Sequence, residues 1–84
     1  MEPDITVTLI LFAAYREMLG FRERQIPVKA NETVFDLFRR LLGDKVDIDL
    51  QASTMFAVNE VYTAADTVLK NGDRVAFIPP VSGG

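Results

Sequence analysis

The residues best suited to chemistry stand at the end of the chain, which closes as Pro79-Pro80-Val81-Ser82-Gly83-Gly84. Two prolines remove backbone donors and hold the chain extended, so this segment should leave the folded body and project. Gly83 and Gly84 carry no β-carbon and pass through a narrow channel, which exposes the Gly84 carboxylate to another enzyme's active site. A free carboxylate is inert towards nucleophiles and must first be activated, most economically by adenylation. The activated acyl group can then accept sulfur or be joined to an amine. The sequence contains no G-x-x-x-x-G-K-[ST] phosphate loop, so ATP is expected to be bound by a partner. Little else competes for a chemical role. There is no cysteine and no histidine, which removes the thiolate nucleophile, the usual proton shuttle near neutral pH and the commonest metal ligands. A diglycine end alone also fits a frayed terminus, so the case depends on the domain that presents it.

A chain of 84 residues has room for one domain with a modest core. We divide it into a domain over residues 1–78 and an extended tail over 79–84. The lack of cysteine gives no support for secretion and fits a reducing, cytoplasmic setting. A net charge of -3 with dispersed Lys and Arg argues against a nucleic-acid partner, which would need a concentrated basic surface. The longest apolar stretch, residues 9–14, is too short for a membrane span, and Glu2 and Asp4 spoil a signal-peptide n-region. A protein partner is the remaining expectation.

Alternation of apolar residues over 5–12 predicts a first strand. Good helix formers over 13–19, followed by Gly20, predict a short helix with a left-handed C-cap. Residues 22–28 alternate again. Val34, Leu37, Phe38, Leu41 and Leu42 follow the i, i+3, i+4, i+7, i+8 spacing of one helical face. Thr33 and Asp36 have the form of a capping box, and Gly43 supplies the stop. Residues 44–53 read as a polar, solvated connection. Residues 55–61 and 67–70 read as short strands, Asn71-Gly72 as a tight hairpin turn, and residues 74–78 as the last strand.

The order β, short α, β, long α, β, short β, β predicts an α+β fold, a mixed sheet packed on one main helix. That is the β-grasp arrangement of ubiquitin, in which the first and last strands run parallel in the middle of the sheet. If Val75 and Phe77 face the helix, then Ala76 and Ile78 point outward with Ile10 and Phe12. An apolar patch would then lie beside the departing tail, and such patches commonly mark protein contacts.

Particular motifs add a family resemblance. Leu11-Phe12-Ala13-Ala14-Tyr15-Arg16-Glu17-Met18-Leu19-Gly20 resembles the FAxxRExxG segment of MoaD-like proteins. Ala57-Val58-Asn59 and the run from Leu69-Lys70-Asn71-Gly72-Asp73 through Val75-Ala76-Phe77-Ile78 to Pro79-Pro80-Val81-Ser82-Gly83-Gly84 resemble that family's C-terminal third. The resemblance implies a sulfur carrier, the small subunit of molybdopterin synthase. Gly84 would be adenylated by an E1-like, MoeB-type enzyme that uses ATP, then converted to a thiocarboxylate. The tail would enter a MoaE-type large subunit, in an assembly of two small and two large subunits, and donate sulfur to cyclic pyranopterin monophosphate. On this pattern the chain is a non-catalytic, sulfur-donating subunit with no permanently bound cofactor. Phe12, Tyr62 and Ile78 match the family's apolar contact surface, with Pro79, Pro80, Val81 and Ser82 leading to the reactive end. Arg16 is expected at the rim and Asn59 in a turn. A carrier serving thiazole, cysteine or tRNA thiolation, a ubiquitin-like protein modifier and a plain binding module are the competing readings.

Overall fold

Alternating side chains make the first strand, β1 (Ile5–Leu11), with Val7, Leu9 and Leu11 buried and the residues between them only partly so. The computed structural model describes residues 5–80. After β1 come α1 (Ala13–Leu19), β2 (Glu23–Val28), α2 (Val34–Leu42), α3 (Ile48–Ser53), β3 (Met55–Val58), β4 (Val61–Thr63) and β5 (Arg74–Ile78). The strands form one mixed sheet in the order β2-β1-β5-β3-β4. Its central pair, β1 and β5, is parallel, with Leu9 opposite Val75 and Leu11 opposite Phe77. The other pairs are antiparallel. This is the expected β-grasp.

The helix α2 starts where its sequence says it should. The Asp36 backbone N–H donates to the Thr33 hydroxyl and the Thr33 backbone N–H donates to the Asp36 carboxylate, both at 3.0 Å, which completes the capping box. From there α2 buries Val34, Leu37, Phe38 and Leu42. Phe38 makes edge-to-face contacts with Phe77 of β5 at 5.2 Å, Phe56 of β3 at 5.4 Å and Tyr15 of α1 at 5.8 Å between ring centroids. One side chain thus joins α1 and α2 to two strands of the sheet. Gly20 takes the expected left-handed C-cap, with φ +81°.

Four local expectations are corrected. Residues 48–53 are helical, because the Asp47 side chain accepts from the Leu50 N–H at 2.8 Å and so caps a helix too short to show a period. Residues 67–70 form no sheet strand. Thr67 and Glu32 carbonyls accept from Val34 and Leu69, so this segment pairs with the entrance to α2 and anchors itself through buried Leu69. The tight hairpin lies at Asn59-Glu60, which splits residues 55–61 into β3 and the start of β4. Both turn residues have positive φ, 54° and 70°, as a two-residue type I′ connection demands. Asn71-Gly72 instead makes a four-residue turn closed by the Asp73 N–H to the Lys70 carbonyl, with Gly72 at φ +87°. Gly43 ends α2 in a right-handed conformation.

Candidate functional site

The face of the sheet turned away from α2 is set by register. Ile10 pairs with Glu23 on one side and Ala76 on the other, Ala76 with Ala57, and Ala57 with Tyr62. One row of five residues therefore crosses the whole sheet on the open face. Its middle members are alanines. The short side chains of Ala57 and Ala76 leave a floor, and the larger Ile10 and Tyr62 rise on either side. The next row carries Met55 opposite Ile78.

Phe12 completes the wall. β1 stops at Leu11, and Phe12 stays extended as the N-cap of α1, while Ala13 turns the chain at φ +49°. Phe12 is left 46% exposed and Tyr62 64% exposed, and exposed apolar side chains gathered in one place are of the kind that marks contact surfaces. Together Ile10, Phe12, Ala57, Tyr62, Ala76 and Ile78 line a groove of about 290 Å³, with Glu60 and Arg74 at its polar edge. The strand-parity expectation thus holds: Val75 and Phe77 are fully buried, whereas Ala76 and Ile78 are half-buried on the outer side.

Phe12, Tyr62 and Ile78, picked from the sequence, converge on this single groove. Pro79, half-buried, and Pro80, exposed, continue from the end of β5 beside it. Val81, Ser82, Gly83 and Gly84 lie outside the described residues. Sequence reasoning does not single out Ala57, Met55, Glu60 or Arg74. Ala57 and Met55 follow from parity once the β3-to-β5 register is known, whereas nothing in the sequence marks Glu60.

The groove's charges are loosely held. Arg74 approaches Glu23 at 3.9 Å with both side chains exposed, an arrangement worth little to stability. Across the ridge made by Ile10 and Phe12, a second cleft is lined by Arg16, Arg22 and Glu23, which puts Arg16 next to the groove rather than inside it. Asn59 serves the turn: its side chain donates to Asp73 at 2.9 Å and accepts from the Arg74 N–H at 3.0 Å. Among the described residues no three acidic side chains gather as a metal site, and no helix is long and apolar enough to cross a membrane.

A sheet that grasps one helix, an apolar groove on its outer face and a last strand ending beside that groove make a combination that sequence families can test. The ThiS family model matches residues 9–84. The chain belongs to the ThiS family. Among its relatives is the molybdopterin synthase sulfur carrier subunit of Drosophila erecta, 35% identical over 85 residues, covering 98% of this chain and 94% of that protein. The structure is similar to Haloferax volcanii small archaeal modifier protein 1, with a TM-score of 0.78 at 27% identity over 92% of this chain and 99% of that one. It is also similar to a chain in the Helicobacter pylori complex of subunits 1 and 2 of molybdopterin-converting factor, with a TM-score of 0.57 at 27% identity, covering 95% and 100%.

Proposed function

We propose that this ThiS-family protein is the sulfur carrier subunit of molybdopterin synthase, with Gly84 as its working residue. The observation that carries the reading is the convergence of Phe12, Tyr62 and Ile78 on one exposed groove at the mouth of the tail. A relative named as this subunit, matched over nearly its whole length, supports the pathway. The Helicobacter pylori protein, similar in fold and held in a complex of subunits 1 and 2, supports a large-subunit partner.

In this proposal the domain is a handle and the tail is the reagent. A MoeB-type enzyme binds the open face, and the Gly84 carboxylate attacks the α-phosphorus of ATP, releasing pyrophosphate. A sulfide-level nucleophile then displaces AMP, leaving a thiocarboxylate. The same face docks on the large subunit of a two-plus-two assembly in the cytoplasm, and the tail delivers the sulfur to cyclic pyranopterin monophosphate. The chain needs no cofactor of its own: ATP is spent in the adenylating enzyme, and the large subunit holds the pterin.

The test is the intact mass of the full chain after co-expression with the adenylating enzyme of the same organism. A gain equal to replacing one oxygen by sulfur, located at Gly84 by fragmentation, is expected, followed by molybdopterin formation when the large subunit and precursor are added. An unchanged mass sinks the carrier reading. A second reading, protein modification through Gly84, is favoured by the likeness to the archaeal modifier. It predicts lysine-linked conjugates that persist on reducing, denaturing gels.

A further inference from the structure

Glu60 occupies a position where its residue type is a poor fit. It sits in the two-residue turn between β3 and β4 at φ +70°, in the left-handed region where glycine is at ease and a side chain crowds the backbone. Asn59, its neighbour at φ +54°, is of a type that tolerates this region. It also uses its side chain to tie the turn to Asp73 and to the Arg74 backbone. Glu60 has no such structural use. Among the described residues its carboxylate makes no hydrogen bond and no ion pair, and the residue is exposed. Its place is nonetheless definite: it lies at the edge of the apolar groove, two residues before Tyr62. The turn demands the angle but not a glutamate, and residues held in conformations that suit their type poorly gather at functional surfaces.

We infer that Glu60 is a specificity contact of the groove, its carboxylate meeting a lysine or arginine on the docked large subunit while a bulky apolar side chain of that subunit rests on the Ala57 and Ala76 floor. The inference rests on the carrier reading and deepens it by stating the chemistry of the partner surface. The two features complement each other. The alanines leave space for an apolar anchor, and an unpaired negative charge at the rim supplies orientation and selects against partners that present an acid there.

The experiment uses the full chain and the large molybdopterin synthase subunit of the same organism, with affinity measured at low and high salt and with thermal unfolding of each variant alone. Glu60→Gln keeps the side chain's size and removes its charge; it should weaken binding about three-fold at low salt, and Glu60→Lys about ten-fold, with both losses shrinking as salt rises. Glu60→Gly relieves the turn, so its melting temperature should equal or exceed that of wild type while its affinity falls like that of Glu60→Gln. Equal affinity for wild type, Glu60→Gln and Glu60→Lys overturns the contact while leaving the carrier reading intact, and a lower melting temperature for Glu60→Gly overturns it by giving Glu60 a structural role. A wild-type chain that forms no complex overturns the carrier reading and the contact together.

Discussion

At the scale of single residues, the core holds a polar link between Tyr15 and Thr54. The Thr54 hydroxyl donates to the Leu50 carbonyl at 2.7 Å, so the Tyr15 hydroxyl is the donor in its bond to Thr54. Burial pushes the Tyr15 phenol above its ordinary value of 10.0, and Asp47 adds to that rise. The neutral form is therefore favoured by folding, so this contribution is complete below pH 10 and is lost as pH rises through the folded pKa. Tyr15→Phe should cost about 1 kcal/mol at neutral pH. In urea titrations repeated at increasing pH above 10, the wild type's advantage over the variant should shrink. Two of the three groove residues, Phe12 and Ile78, are legible in the sequence because period-2 parity fixes faces: once Val75 and Phe77 are inside, Ile78 is out, whereas Tyr62 is reached only through the family resemblance. Glu60 is not, because a single acid beside one asparagine in the mostly apolar run 55–62 carries no pattern of its own, and only its backbone angle sets it apart.

Secondary-structure elements are readable in proportion to their local signals. α2 declares itself by its apolar period and by the Thr33–Asp36 box. Hydrogen bonds from the Thr33 backbone and, to a smaller degree, its side chain hold the Asp36 carboxyl below its ordinary value of 3.8. A lowered folded pKa means that the stabilisation is present above pH 3.8 and fades as pH falls through the folded value. Thr33→Ala should lower stability by about 1 kcal/mol at pH 7. Asp36→Asn, also less stable than wild type at neutral pH, should converge on it in acid; circular dichroism melts from pH 7 to 2 check both. By contrast, the six residues of α3 are too few to display a helical period, and their one signal, an Asp47 N-cap, is submerged among other acids. Sequence places the hairpin at Asn71-Gly72 because that pair is the strongest I′ signature in the chain. The turn forms at Asn59-Glu60 because pairing of β3 with both β4 and β5 outweighs the local cost at Glu60.

For the whole molecule, long-range pairing decides what local sequence leaves open. Nothing near residues 5–11 states that their neighbour is β5, more than sixty positions away; element order and family motifs are what point to the β-grasp topology. The core that results has one hub. Phe38→Ala removes the ring shared by α1, α2, β3 and β5 and should cost about 3 to 5 kcal/mol. Urea unfolding followed by circular dichroism should show a lower midpoint but still a single transition, since no element that touches Phe38 keeps an independent core. A midpoint within error of wild type would contradict the hub.

The position of β5 between β1 and β3 also has a mechanical consequence. A pull applied beyond Pro80 loads the last strand along its own axis, and that load is shared as shear by two ladders of hydrogen bonds whose members must fail together rather than unzip in turn. Force on the tail therefore tows the intact domain instead of peeling it open.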